Sequence, residues 1–290
     1  MRRSQKTRTL IASLTITVVL IVLQYVYAGH TVGQKRLIVW FFDVGQGDAI
    51  FIESPSGFQM LIDGGPSDAV LDKLGSVLPF WDRRLDAVVL THPHADHLNG
   101  LVEVIDRYSV GNVYLTNVDY FTPAGPEFQR RISDGEHVAE VDGPMTIDLG
   151  GGVTFEIIYP TSSFAGDRVT DVNGSSIVGI LKYGETSVLL TGDETAKQEP
   201  ELASAIDVEI DVLKVGHHGS AYSSTMAFLE DLDPRFAIIS VGANNDYGHP
   251  APSTLERLQA IGATIFRTDL DGDIRLTSDG GEPSVDSKPL

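Results

Sequence analysis

Four side chains that can bind metal ions lie between residues 92 and 97: His92, His94, Asp96 and His97. In an extended segment, the side chains of His92 and His94 point to the same side of the backbone and can converge on one cation. Asp96 and His97, at the turn into a following helix, can reach a neighbouring cation. Imidazole and carboxylate ligands suit Zn, Mn or Fe. The spacing therefore predicts a metal centre. The weaker interpretation is a solvated histidine-rich loop.

Strongly apolar segments precede the residues that could do this chemistry. Leu85–Leu90 leads into the histidine motif, and Thr186–Thr191 leads into Gly192 and Asp193. Nearly continuous apolar runs of this length are typical of strands that are covered on both faces. Because a rigid sheet delivers the side chains that follow its strands to a fixed point, we expect chemistry to gather at these two strand ends.

Three later histidines are further candidates. His217 and His218 follow the apolar strand Asp211–Val215. We prefer His217 as a ligand of the second metal, which leaves His218 to orient groups or to transfer a proton. His249, in a Gly-His-Pro turn, is an alternative distal ligand or proton-transfer residue, although a plain turn histidine is also compatible with the pattern.

The order of the predicted elements indicates the fold class. Early segments form a meander of strands, whereas later segments alternate strand-like and helix-like patterns. We predict an α/β (α+β) fold in which two mixed β-sheets pack face to face with helices outside, a four-layer αββα sandwich. No element is predicted between the strands Asn112–Leu115 and Val153–Tyr159.

Composition excludes several kinds of chemistry. The 290 residues contain no cysteine, which excludes thiolate catalysis and iron–sulfur clusters. The formal net charge of −19 opposes nonspecific attraction to nucleic acid, because that attraction comes mainly from cations meeting phosphates. A phosphate substrate would therefore need a local positive charge, and a bound metal ion is the obvious source.

The chain divides into three parts by composition. Residues 1–28 place basic residues before an apolar run and small residues at a cleavage position, which predicts a signal peptide or an N-terminal membrane anchor. The protein is then extracytoplasmic, either secreted or held at the membrane by this segment. Residues 35–278 are expected to form one domain, followed by a flexible polar tail at 279–290.

Several motifs besides His92–His97 carry a resemblance to a known family. They are Phe42–Ala49 (FDVGQGDA), Leu61–Gly65 (LIDGG), Leu190–Asp193 (LTGD), Val215–Ser220 (VGHHGS) and Tyr247–Pro250 (YGHP). The histidine motif resembles the signature of the metallo-β-lactamase fold, a family of mostly binuclear metallohydrolases. Together, the motifs resemble the metallo-β-lactamase-like domain of ComEC-type DNA-uptake proteins from about Lys35 to Leu276.

The resemblance implies roles for individual residues. Asp193 matches the carboxylate that bridges two metals, and Asp63 matches an Asp that supports the metal loop from behind. Many members place a third histidine for the first metal where this chain has Asn173, so Asn173 and water are expected to complete that site or to contact substrate. The one histidine between His97 and Asp193 is His137, which we interpret as a surface residue in a polar turn.

A substrate role is also predicted for the turn Gly45-Gln46-Gly47-Asp48, whose backbone N–H groups could approach a phosphate. Gln46 and Asp48 are accordingly candidate substrate-binding residues. The competing interpretation is an ordinary tight turn between two strands.

The function implied is an exported metal-dependent phosphodiesterase or nuclease that acts on a phosphodiester, possibly DNA. Two divalent cations (Zn or Mn) would activate a bridging water. Asp96, His218 and His249 are the candidate catalytic residues. The alternatives are hydrolysis of a small ester, a lactam or choline phosphate, and a non-catalytic metal-binding accessory protein.

Overall fold

The computed structural model describes residues 15–21, 36–133 and 137–287, and the described residues from 36 onwards belong to one structural unit. Residues 15–21 are helical. Within the described ranges, no helix combines the length and apolar character that a bilayer crossing requires. The rest of the segment 1–28, predicted as a signal peptide or anchor, lies outside the described residues.

Two mixed β-sheets form the centre of the described part of the chain. The first has the strand order β15-β14-β1-β2-β3-β4-β5-β6, with β1 (Leu37–Phe41), β2 (Ile50–Glu53), β3 (Gln59–Ile62), β4 (Arg84–Val89), β5 (Ser109–Leu115), β6 (His137–Glu140), β14 (Ile274–Ser278) and β15 (Ser284–Ser287). The second has the order β13-β12-β11-β10-β9-β8-β7, with β7 (Met145–Gly150), β8 (Val153–Tyr159), β9 (Val178–Tyr183), β10 (Thr186–Leu190), β11 (Val212–Lys214), β12 (Phe236–Ile239) and β13 (Thr264–Arg267).

Helices cover the outer face of each sheet. They are α1 (Ala69–Val77), α2 (Ala95–Arg107), α3 (Gly125–Ser133), α4 (Glu199–Ala205), α5 (Met226–Leu232), α6 (Pro252–Ala260) and the single turn α7 (Thr268–Asp271). In α2, which carries part of the histidine motif, Leu98, Leu101 and Val102 are buried at helical spacing. This apolar stripe fixes the helix on the first sheet, because a helix buries the face on which residues three and four apart meet.

Successive side chains along each strand point to opposite faces of the sheet, and this alternation produces three apolar layers. In β4, Ala87 and Val89 face the second sheet, whereas Val88 faces the helices. One cluster lies between the two sheets, a second lies under α1, α2 and α3, and a third lies under α4, α5 and α6. These layers confirm the predicted four-layer αββα sandwich.

The sequence-based description was incomplete between Leu115 and Val153 and wrong at the C-terminus. Helix α3 and strands β6 and β7 occupy the segment for which no element was predicted. Part of the predicted flexible tail is strand β15, which pairs with β14 in antiparallel register from Thr277↔Ser284 to Ile274↔Ser287. We did not predict strand β15 because its sequence is polar. An edge strand needs few apolar residues when only one of its faces touches the core.

Parallel pairing brings the chemistry-bearing segments together. Strand β4 is parallel to β3 in the first sheet, and β10, β11 and β12 are mutually parallel in the second. The residues that follow the carboxyl ends of these strands therefore meet at one edge of the sandwich. All the candidate ligands except those at the start of α2 lie in these connections.

Candidate metal centre

The turn between β4 and α2 holds the first two histidines. His92 is fully buried, with its Nδ1 3.1 Å from the hydroxyl of Thr91 and 3.3 Å from that of Ser176. Its Nε2 lies 3.1 Å from Nδ1 of His94. The ring of His94 packs edge-on against Tyr120. The two imidazoles are thus adjacent, as the alternation of the motif predicted.

Asp63 fixes the orientation of His97. Both residues are fully buried, and Asp63 Oδ2 is 2.8 Å from Nδ1 of His97. The same carboxylate accepts hydrogen bonds from the backbone N–H and the hydroxyl of Thr91 at 2.8 and 2.7 Å. The contact directs Nε2 of His97 towards Asp193. A carboxylate behind a ligating imidazole has this arrangement in metal sites.

Asp193 is the point on which the histidines converge. Its Oδ2 lies 3.3 Å from Nε2 of His218, 3.4 Å from Nε2 of His97, and 3.9 Å from Nε2 of both His92 and His217. In addition, Oδ2 of Asp96 lies 3.4 Å from Nε2 of His218. Asp193, which follows β10, therefore joins ligand candidates from both sheets.

These separations fit ligands that surround a cation better than direct hydrogen bonds. Two ligand atoms ~2.1 Å from a tetrahedral ion lie ~3.4 Å apart, whereas a charge-assisted hydrogen bond is ~2.8 Å long. Within the described chain, Nε2 of His97, Nε2 of His218 and Oδ1 of Asp193 are buried without a hydrogen-bond partner. Buried polar atoms seldom remain unsatisfied in a native protein. The residues present therefore fit a divalent metal.

Triads of ligand atoms within 4.8 Å of one another include His92 with His97 and Asp193, and Asp96 with His97 and His218. A third triad joins Asp193 and His218 to Asp48. Within the described residues, none of these triads includes His94 or His217. His94 instead lies beside His92, with its ring against Tyr120.

The charges at the centre are strongly coupled. Burial opposes ionisation of Asp193, but the imidazoles of His218 and His97 outweigh it and hold the pKa of the carboxyl well below its usual range. Burial likewise disfavours a charged His97 or His218, yet Asp193 and the other carboxylates raise the pKa of both imidazoles well above 6.5. Without metal, these imidazoles carry the positive charge that the buried carboxylates require.

The environments of His217 and His218 are the reverse of those that we expected from the sequence, where we preferred His217 as the ligand. Both adopt a left-handed backbone, with φ of 48° and 53°, and their ring centroids lie 6.1 Å apart. His218 is buried and held by a contact of 2.9 Å between its Nδ1 and the carbonyl of Ser240. His217 is partly exposed beside Asn173, whose Nδ2 lies 3.3 Å from its Nε2. This arrangement favours His218 as the ligand.

His249 lies next to His217, with ring centroids 5.5 Å apart, on the wall of a cleft of about 300 Å³. Burial is the main reason that the pKa values of both imidazoles are lowered. Gln46 also lines the cleft and accepts a hydrogen bond from the backbone N–H of Gly242. His137, at the start of β6, is exposed, as predicted for a surface residue, but it lies in a strand rather than a turn.

Asp48 is not placed to bind substrate, which corrects our prediction for this residue. Its side chain is 1% exposed, and Oδ2 pairs with Nζ of the fully buried Lys214 at 2.8 Å. Burial raises its pKa, but Lys214 and His218 outweigh that effect and lower the pKa to about 2. Asp48 therefore positions the centre from within the protein, because substrate cannot reach it.

Two buried residues of the centre were missed by the sequence analysis. Lys214 is the one charged side chain in the apolar strand β11, and this interruption was the available signal. Glu194 directly follows Asp193, and burial together with nearby Glu199 and Asp193 raises its pKa well above the usual value. Nothing in the local sequence distinguishes Glu194 from an ordinary turn carboxylate.

Comparisons with known proteins agree with this geometry. The sequence profile of the Metallo-beta-lactamase superfamily matches residues 42–243. The chain is 31% identical over 252 residues to ComE operon protein 3 of Bacillus subtilis (strain 168), covering 80% of this chain and 32% of the relative. It is 32% identical to Recombination protein 2 of Haemophilus influenzae over 240 residues, covering 81% and 28%. The chain thus spans about a third of the length of these relatives.

A solved structure supports the fold independently. Zn(2+)-bound PqqB from Methylobacterium extorquens superposes with a TM-score of 0.50 at 12% identity, covering 80% of this chain and 97% of that one. The predicted resemblance to ComEC-type competence proteins is confirmed by the sequence relatives. The chain belongs to the metallo-β-lactamase superfamily, a superfamily of metal-binding hydrolases.

Proposed function

We propose that this protein is an exported phosphodiesterase that cleaves nucleic acid with two divalent cations, Zn or Mn. The observation that carries the proposal is the position of Asp193, whose Oδ2 lies within 3.9 Å of a ring nitrogen of four histidines. A carboxylate surrounded in this way is suited to bridge two metal ions.

We assign the candidate ligands to two cations. His92, the adjacent His94 and Asp193 would hold the first, and Asp96, His97, His218 and Asp193 would hold the second. When bound, such cations lower the pKa of a coordinated water and stabilise negative charge on a phosphodiester oxygen. Asp63 and the carbonyl of Ser240 keep His97 and His218 in the orientation that this requires.

Proton transfer falls to the histidines of the cleft wall. The lowered pKa values of His217 and His249 keep their rings neutral near pH 7, so that a ring nitrogen can accept a proton and return it to the leaving oxygen. His249 keeps the catalytic role expected from the sequence, whereas His217 takes the role first considered for His218. Asn173 would hold the ring of His217 in place through their contact of 3.3 Å.

The relatives support a nucleic-acid substrate, since the names of two of them are "Competence protein ComA" and "Recombination protein 2".

The test measures hydrolysis of bis-p-nitrophenyl phosphate, single-stranded DNA and double-stranded DNA by the purified chain with Mn or Zn. We expect cleavage of phosphodiesters that a chelator abolishes, with about two metals per chain.

Other results would favour the alternatives. Cleavage of only a lactam, a carboxyl ester or choline phosphate would replace the phosphodiesterase by another hydrolase. One metal or none, with no turnover of any substrate, would identify an accessory protein.

An extracytoplasmic location is part of the proposal. It is supported by the order of basic and apolar residues in 1–28. A fusion of this segment to alkaline phosphatase, which is active only after export, tests the location. N-terminal sequencing of the recovered protein distinguishes cleavage from membrane anchoring, and an inactive fusion would refute export.

A further inference from the structure

Aromatic side chains stand at the mouth of the cleft. Tyr120 and Phe121, from the loop before α3, and Tyr247, from the loop before α6, all line it. Phe121 is 79% exposed and Tyr247 is 70% exposed. A group of exposed aromatic rings around a cleft indicates a ligand that covers them. Exposed large apolar side chains that have no binding role usually occur singly, scattered over the protein surface.

Two of these rings pack against histidines of the site. Tyr120 packs edge-on against His94 with centroids 5.2 Å apart and an interplanar angle of 71°. Tyr247 stacks on His249 with centroids 5.9 Å apart and an angle of 17°. A ligand that lay on Tyr120 or Tyr247 would thus be a few ångströms from the reacting centre.

The loop that carries Tyr247 is held by Asn245. The side-chain Oδ1 of Asn245 accepts hydrogen bonds from the backbone N–H groups of Tyr247 and His249 at 3.1 and 3.0 Å. Its amide nitrogen donates to the carbonyls of Gly242 and His249 at 3.0 and 2.6 Å. Such a loop presents its aromatic ring in a defined place before any ligand binds.

The described lining of the same cleft lacks the two side chains that most often contact phosphates. Among the described residues that line it, none is lysine or arginine. The chain as a whole carries a formal charge of −19. A duplex presents mainly its phosphates to a protein and requires cations, whereas an unpaired strand also offers the faces of its bases to aromatic rings.

We propose that Tyr120, Phe121 and Tyr247 form a stacking platform for the bases beside the scissile phosphate, so that the substrate is an unpaired polynucleotide strand. This inference rests on the proposed phosphodiesterase function and specifies its substrate. Recognition through base faces also predicts tolerance of sequence, since every base has a π-face.

The test compares kcat/KM for two strands with the same number of phosphates, one with bases and one made of abasic nucleotides. For the full-length chain, we expect the strand with bases to be preferred roughly tenfold. Tyr247→Ala and Phe121→Ala should bring this preference towards one, and Tyr247→Trp should retain it. Because each ratio is taken within one protein, a partly unfolded fraction cancels.

Tyr222 provides the matched control. It is 80% exposed and does not line the cleft, so Tyr222→Ala should keep the wild-type preference. Equal cleavage of the two strands, or a duplex cleaved faster than its separated strands, would overturn the platform. After either of these results, hydrolysis of bis-p-nitrophenyl phosphate shows whether the protein still has the proposed phosphodiesterase activity. If no phosphodiester is cleaved, the proposed function fails and the platform with it.

Discussion

At the scale of single residues, the contacts of Asp193 lead to the most direct prediction. Asp193→Ala should abolish turnover and reduce the metal content per chain, because a bridging ligand serves both cations. Elemental analysis and hydrolysis of bis-p-nitrophenyl phosphate measure the two effects. His137→Ala is the control, since His137 is exposed and should leave both unchanged. A large loss of metal in the His137 variant would contradict the assignment of the centre.

The coupled charges predict how metal affinity depends on pH. In the metal-free chain, the pKa values of His97 and His218 are raised above 6.5, so a metal must displace their protons. Affinity should therefore increase as the pH rises above 6.5, with proton release on binding. Calorimetric titration in buffers of different ionisation enthalpy measures both quantities. An affinity that is flat with pH would refute the raised pKa values.

At the scale of elements, the buried pair Lys214–Asp48 joins β11 to the loop between β1 and β2. Lys214→Met leaves the Asp48 carboxylate buried without its partner and should cost about 3–5 kcal/mol in the free energy of unfolding. Denaturant unfolding in the presence of a chelator measures this cost. In the double variant Lys214→Met/Asp48→Asn the loss should be smaller than the sum of the two single losses. Additive losses would show that the pair does not interact.

The same loop touches the histidine motif at Gly47. A Cβ at this position would lie 2.1 Å from the carbonyl oxygen of Asp96, whereas nothing lies within 4 Å of a Cβ on Gly45. Both glycines have positive φ, so Gly45→Ala measures the backbone strain alone. Gly47→Ala should lose about 2 kcal/mol more than Gly45→Ala and should bind less metal. Equal losses in unfolding and metal content would exclude the close packing.

The sequence contained enough to predict the four layers and to select residues that the structure brings together. His92, His97 and Asp193 could be selected because polar side chains follow strongly apolar strands. The choice between His217 and His218 was beyond reach, because it depends on two successive left-handed residues. Asp48 was misjudged because its buried partner, Lys214, is distant in sequence.

At the scale of the whole molecule, the acidic charge predicts an unusual response to salt. A protein that neutralises 6–10 phosphates loses about 10³–10⁵ in affinity between 50 and 200 mM salt. With a net charge of −19, this chain should change its kcat/KM for an unpaired strand by less than about tenfold over that range at fixed metal concentration. Steady-state kinetics measures the slope. A fall of a hundredfold would reveal a cationic groove elsewhere.

The order of the first sheet has a consequence for how such a unit is used. Strand β1 near the start of the domain pairs with β14 near its end, and Leu37 lies opposite Ser278. Strand β15 then runs back along β14 and places Ser287 opposite Ile274, so the described backbone enters and leaves the domain on one edge of the first sheet, two strands apart. A unit whose entry and exit lie on one edge of a sheet can be joined to or inserted in a longer polypeptide without being unfolded.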